Sequence, residues 1–145
     1  MDQEGFKRMF GLIGSSFVGE RIYHVIRANN QTAFITLRDY LIYQDKVMHG
    51  LDTEKNDLSF RMMDLSDSGR VTFETYEKFW SSYLYMYGQL FNFKVNIDAA
   101  DKANARNTFN TIAQGAESFD FEKFQTAKAQ NPELLEWMDE TNQLE

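Results

Sequence analysis

One short pattern occurs three times in this 145-residue sequence and constrains the fold more than any other feature. Each copy consists of a hydrophobic residue, then Thr or Asp, then a second hydrophobic residue, with an aromatic residue three positions further on. The copies are Ile35-Thr36-Leu37 with Tyr40, Val71-Thr72-Phe73 with Tyr76, and Phe119-Asp120-Phe121 with Phe124. Because Thr and Asp are favoured N-cap residues, each copy predicts a short extended segment that runs directly into a helix.

Apolar residues three and four positions apart predict helices on both sides of these copies. The predicted helices run from Leu37 to a stop at Gly50, from Phe73 to a stop at Gly88, from Asp120 onward, and upstream over residues 17–26, 53–63 and 99–112. A further N-terminal helix is predicted near residues 6–13, and Asn131-Pro132 is predicted to open a short final helix. Helix, loop and helix in succession, three times over, is the plan of an EF-hand protein. A generic helical bundle is the alternative.

The predicted fold is therefore all-α and EF-hand, with three helix-loop-helix units, an N-terminal helix and a short C-terminal helix. Residues 1–50 would hold the N-terminal helix and a degenerate first hand, and residues 51–145 a pair of hands with the C-terminal helix. Val71 and Phe119 occupy the same position in neighbouring hands. We expect them to lie opposite each other in a two-residue antiparallel contact, because buried loop amides need partners.

The middle loop, from Asp64 to Thr75, is the closest to a calcium site. EF-hand loops bind calcium through oxygens at positions 1, 3, 5, 7, 9 and 12, with glycine at position 6. The candidate metal ligands here are Asp64, Ser66, Ser68, Arg70 through its backbone carbonyl, and Thr75. Thr75 stands where a bidentate glutamate is needed, and only Asp64 carries a charge. We therefore expect no cofactor, or calcium at about 10⁻⁴ to 10⁻³ M at best.

The first and third loops are poorer still. Aligned on Ile35, the first loop begins at Ala28 and has Ala33 where glycine belongs, although this loop could be one residue longer. Aligned on Phe119, the third has Ile112 at its first position and Lys123 at its twelfth. An apolar first ligand and a cationic last one exclude calcium from the third loop.

Several segments resemble the neuronal calcium sensor branch of EF-hand proteins, the recoverin- and calaxin-like group. They are Gly50-Leu51, Glu54-Lys55 and the run Leu58 to Asp64 before the middle loop, with Phe121 to Phe124 and Asn131 to Leu135 near the end. The unequal spacing of the three repeats is similar as well. The sequence departs from this group in its reduced first hand. Its second residue is Asp rather than glycine, so no myristoyl anchor is expected.

The resemblance implies that an amphipathic helix of a protein partner binds in a groove lined by Phe, Met and Leu. The residues matched to such a groove are Phe10, Phe17, Tyr40, Phe73, Trp80, Tyr83, Met86 and Phe91. Aromatic residues at helical spacing are more often simply core, which is the competing interpretation of each.

Composition and motif content argue against several classes of function. A net charge of -7 argues against nucleic-acid binding, and the absence of cysteine excludes thiolate chemistry. No catalytic motif is present, and no apolar run approaches the roughly 18 residues of a membrane span. We expect a non-catalytic adaptor in the cytoplasm. A ciliary or cytoskeletal location is compatible with the resemblance. A true calcium sensor and the regulatory domain of a larger enzyme or channel are the alternatives.

Overall fold

The computed structural model describes residues 2–9, 16–27 and 34–135. Within them the chain forms seven helices and two short strands. In chain order these are α1 (Gln3–Met9), α2 (Ser16–Ile26), α3 (Leu37–His49), α4 (Asp52–Met63), β1 (Arg70–Thr72), α5 (Phe73–Leu90), α6 (Ala99–Ala113), β2 (Ser118–Asp120) and α7 (Phe121–Gln130). The predicted predominance of helix is confirmed.

Four helices begin where local capping rules place them. In each case a side-chain oxygen accepts a hydrogen bond from the backbone amide three residues later, which satisfies one of the free donors of the first turn. The pairs are Thr36 with Asp39, Thr72 with Thr75, Asp98 with Asp101, and Asp120 with Lys123. These helix starts follow from residues within one turn of each other, so they could be predicted without knowledge of the fold.

The two strands form one short antiparallel sheet. Val71 lies opposite Phe119, Arg70 opposite Asp120, and Thr72 opposite Ser118. The predicted contact between Val71 and Phe119 is confirmed, and both side chains are fully buried. Because β1 precedes α5 and β2 precedes α7, this sheet joins the second and third helix-loop-helix units at their loops.

Aromatic side chains fill the space beneath this sheet. The Phe119 ring lies 5.6 Å from that of Phe109 and 6.2 Å from those of Phe60 and Phe124. The Phe60 and Phe124 rings are 6.1 Å apart. These distances are typical of aromatic pairs, which contribute roughly 0.5–1.5 kcal/mol each beyond the burial of their area. Phe119 therefore connects α4, α6 and α7 through one side chain.

Helix α5 does not stop at Gly88, as the sequence predicted, but continues to Leu90. Gly88 has a different role, because the chain after α5 folds back against it. The Phe93 amide donates to the Gly88 carbonyl at 2.9 Å. A Cβ atom at Gly88 would lie 2.5 Å from Cγ2 of Val95 and 2.8 Å from the Phe93 carbonyl oxygen. Glycine is needed here for close approach, not for helix termination.

The predicted final helix is not formed where it was expected to start. Residues 132–135 form a turn in which the Leu134 amide donates to the Asn131 carbonyl at 3.0 Å. Leu135 then adopts a left-handed φ of 59°, which a helix cannot continue through. Both Leu134 and Leu135 are buried. Trp137 and Met138, which the prediction included, lie outside the described residues.

The first helix-loop-helix unit packs directly on the second. Helix α2 contacts α4 and α5, helix α3 contacts α2 and α4, and α1 packs against α2. Residues 28–33 of the loop between α2 and α3 lie outside the described residues, as do residues 10–13 of the predicted N-terminal helix. None of the described helices is long and apolar enough to cross a bilayer.

Candidate functional site

The middle loop leaves α4 through Asp64 and returns to a helix at Phe73. Two of its residues have positive φ angles, Asp67 at 52° and Gly69 at 81°. Asp tolerates the left-handed region better than most residues, and Gly enters it without a Cβ penalty. Gly69 thus makes the sharp turn that the sequence predicted, and the backbone path of the loop is formed although its ligand set is incomplete.

The Asp64 carboxylate closes this loop. Its Oδ1 accepts a hydrogen bond from the Ser68 amide at 3.1 Å, and its Oδ2 accepts one from the Gly69 amide at 2.8 Å. The residue is buried. A buried carboxylate is costly unless it is hydrogen-bonded, and the two amides supply that compensation. The loop is therefore closed by its own hydrogen bonds.

Four of the five predicted metal ligands come together around the Ser68 hydroxyl. Its oxygen lies 3.1 Å from the Ser66 hydroxyl, 3.4 Å from Oδ1 of Asp64 and 3.1 Å from the carbonyl oxygen of Arg70. This is an oxygen cluster of the kind that calcium prefers, but three of its four members are neutral. The single negative charge of Asp64 compensates poorly for the two positive charges of a calcium ion.

Thr75, the fifth predicted ligand, is committed to a helix cap. Its hydroxyl donates to the Thr72 carbonyl at 3.0 Å and accepts from the Thr72 amide at 3.1 Å. Glu74, one residue earlier, is exposed. The structure thus brings Asp64, Ser66, Ser68 and Arg70 together but uses Thr75 to start α5. The donor set does not fit a tight calcium site.

A residue that the sequence analysis missed holds the other side of this loop. Arg21 of α2 reaches the end of α4, where its Nη2 donates to the carbonyls of Arg61 at 2.6 Å and Asp64 at 2.9 Å. Its Nε donates to the Met62 carbonyl at 3.3 Å. The last carbonyls of a helix have no intrahelical partner and carry a partial negative charge, so a guanidinium suits them in both respects.

Arg21 is buried, with a relative exposure of 8%. Desolvation lowers the pKa of its guanidinium, while the negative charges of Asp67 and Asp64 oppose that shift. Asp67 lies 3.9 Å from Nη2 of Arg21, and its other carboxylate oxygen lies 3.1 Å from Nε2 of His24. Helix α2 therefore supplies two side chains to the middle loop, and the position of the loop depends on the first unit. A lone Arg some 40 residues before its partners gave no local signal of this role.

The third loop is shorter than the sequence alignment assumed. Only residues 114–117 separate α6 from β2, whereas residues 64–69 separate α4 from β1. Ile112, placed at the first ligand position, belongs to α6 and is buried in the core. Lys123 directs its ammonium to the Ala113 carbonyl at 3.4 Å, at the end of α6. The placement of Ile112 at the first loop position was therefore wrong, although Phe119 does pair with Val71 as the alignment assumed.

The predicted groove residues do not form one open surface. Trp80, Tyr83 and Met86 are buried in the core. Phe73 is half-buried, with its ring 5.5 Å from that of Phe109. The competing interpretation, that these aromatic residues are simply core, is the better description of their position here.

The remaining groove candidates are scattered. Tyr40 is half-buried and its hydroxyl accepts from Nε2 of Gln44 at 2.6 Å. Phe91 is exposed at the end of α5, with its ring 4.6 Å from that of Tyr87. Phe10 and the side chain of Phe17 lie outside the described part of the structure.

A cleft of about 570 Å³ lies instead between α3, α4 and α7. Its apolar lining comes from Tyr43, Val47, Leu58, Met62 and Tyr83, and its charged lining from Asp52, Lys55 and Lys128. Tyr83 is the one residue of the predicted groove that takes part among those the structure describes.

Searches against protein-family models and against curated protein sequences gave no match to this chain.

Replacement of Arg21 by Met should lower the free energy of unfolding by about 2–4 kcal/mol, because three carbonyls at the end of α4 lose a charged donor in a buried place. Met keeps the apolar stem of the side chain and removes the guanidinium. Chemical denaturation measures the loss. The matched control is Arg61→Met, which removes an exposed ion pair with Asp57 and should cost less than about 1 kcal/mol. Equal losses for the two variants would contradict the role of Arg21.

Proposed function

We propose that this chain is a degenerate EF-hand protein that works as a non-catalytic adaptor and holds an amphipathic helix of a larger protein without requiring calcium. One observation carries the proposal. The middle loop is closed by the hydrogen bonds of Asp64 to Ser68 and Gly69 and by Arg21 at the end of α4. A loop that is stabilised in this way does not need a cation to order it.

The antiparallel pairing of Val71 with Phe119 and the positive φ angles at Asp67 and Gly69 support the EF-hand assignment. They are the features that couple two such hands and turn such a loop. The resemblance to the neuronal calcium sensor branch is part of the same proposal.

The cleft between α3, α4 and α7 is the best place for the partner helix. Its apolar lining suits the hydrophobic face of such a helix, and the overall charge of -7 favours a basic one. This location replaces the groove inferred from the sequence, whose central residues are in the core.

The chain's own exit from α7 lies beside this cleft. Pro132 lines it, and Lys128 on its rim donates through Nζ to the Leu134 carbonyl at 2.9 Å. Leu134 and Leu135 are buried against the same core. We propose that this segment occupies part of the binding site until a partner displaces it.

A calcium sensor is the second candidate, and the oxygen cluster around Ser68 favours it. The two candidates differ in whether calcium changes the affinity for the partner helix.

A direct test uses a model peptide of about 20 residues, with Leu at i, i+3, i+4 and i+7 and Lys elsewhere. Fluorescence anisotropy should show saturable binding, and exchange of calcium for chelator should change the Kd by less than about threefold. A scrambled peptide of the same composition is the control. Loss of binding in chelator would refute the metal-independent adaptor.

The place of binding is tested by two neighbouring substitutions on α3. Val47→Asp puts a charge into the cleft and should weaken peptide binding by at least about tenfold. Met48→Asp changes an exposed residue and should leave the Kd within about threefold. Equal effects of the two variants would mean that the peptide binds elsewhere.

The calcium loop is tested by Thr75→Glu, which returns a bidentate carboxylate to the twelfth position. The unaltered chain should bind calcium no more tightly than about 10⁻⁴ M, and the variant should bind at least about tenfold more tightly. Titration calorimetry measures both. Micromolar affinity in the unaltered chain would favour the sensor.

A further inference from the structure

The outer face of α3 exposes several large apolar side chains. Leu37, Leu41, Ile42 and Met48 are 73%, 56%, 46% and 64% exposed, and Leu51 just beyond the helix is 72% exposed. The opposite face, through Tyr43, is buried against the rest of the molecule. A group of exposed apolar side chains on one helix face indicates an interaction surface, whereas single exposed apolar residues scattered over a protein are normal.

Two opposite charges flank the centre of this face. Arg38 lies three residues before Leu41, and Asp45 lies three residues after Ile42. Both side chains are exposed, and neither has an ion-pair partner among the residues that the structure describes. Their positions are symmetric about the midpoint between Leu41 and Ile42.

We propose that α3 is a self-association surface on which a second copy of this chain packs its own α3 in antiparallel orientation. A two-fold axis through the midpoint of Leu41 and Ile42 places Arg38 of each copy opposite Asp45 of the other. The same operation packs Leu41 of one helix on Ile42 of the other. A closed dimer interface must be self-complementary in this manner.

The charges around this face favour a second copy over another partner. A basic helix would meet Arg38 and Lys46, and an acidic one would meet Asp45 and Glu54, all of which line the same shallow depression. Two chains with a net charge of -7 repel each other overall. Local pairing of opposite charges is therefore what permits them to associate here, and it fixes the antiparallel orientation.

The proposed dimer is independent of the proposed adaptor function. Val47 and Tyr43 line the cleft, whereas Arg38, Leu41 and Asp45 lie on the outer face. A contact through one helix and its flanks buries less than about 1,200 Å² in total, so the dimer is expected to be weak, with a Kd of about 10–100 µM.

Sedimentation velocity over a concentration series tests the proposal with charge reversals. The unaltered chain should show a reversible dimer, and Arg38→Asp and Asp45→Arg should each be monomeric, because like charges then meet twice. An equimolar mixture of the two single variants should form a heterodimer, and the double variant should form a homodimer again. The matched control is Lys102→Asp on α6. It makes the same positive-to-negative change at an exposed position away from α3, and this variant should still dimerise.

Each outcome decides the question. Restored association in the mixture and in the double variant supports the antiparallel pair, because no general loss of stability would be repaired by mixing. The proposal is overturned if the unaltered chain stays monomeric at protein concentrations up to about tenfold above the expected Kd. Single variants that dimerise as well as the unaltered chain, or a mixture that stays monomeric, overturn it equally. Circular dichroism verifies that each variant is folded.

Discussion

The hydrogen bonds around Asp64 determine how the parts of this molecule fit together. The carboxylate of Asp64 closes the middle loop through two amides, and its carbonyl accepts from Arg21 of α2. The end of α4, the start of β1 and the first helix-loop-helix unit are thereby connected at one residue. Asp64 and Arg21 are buried, so each would be left with unsatisfied polar atoms if its hydrogen-bond partners were lost.

Beyond this point the core depends on the pairing of Val71 with Phe119. That contact brings β1 and β2 together and places the Phe119 ring among Phe60, Phe109 and Phe124. The two loops are thus coupled through buried side chains. The end of α4 and the start of α7 thus contact the same aromatic cluster, and the exit segment of α7 borders the cleft proposed for the partner.

The confirmed predictions were based on neighbouring residues or on the internal repeat. The caps at Thr36, Thr72 and Asp120 depend on contacts within one helical turn, and the pairing of Val71 with Phe119 follows from the repeat. Features that depend on distant parts of the chain were missed. The carbonyls that Arg21 binds are about 40 residues away in sequence, so nothing beside Arg21 indicated its role.

The errors have separate causes. Gly88 was predicted to end a helix because glycine commonly does, but its role is set by Val95 and Phe93 folding back on α5. Ile112 was placed at the first loop position by counting back from Phe119 over the length of the middle loop, but the third loop is shorter. Trp80, Tyr83 and Met86 were assigned to a groove, yet periodicity alone cannot distinguish a surface stripe from a core stripe.

Amide hydrogen exchange at Ser68 and Gly69 tests most directly whether the loop is held without a metal. Both amides donate to the Asp64 carboxylate, so NMR in the presence of chelator should find them protected from exchange. Addition of millimolar calcium should leave their exchange rates within about threefold of those values, because the hydrogen bonds are already formed. Rapid exchange in chelator, followed by strong protection when calcium is added, would contradict the account.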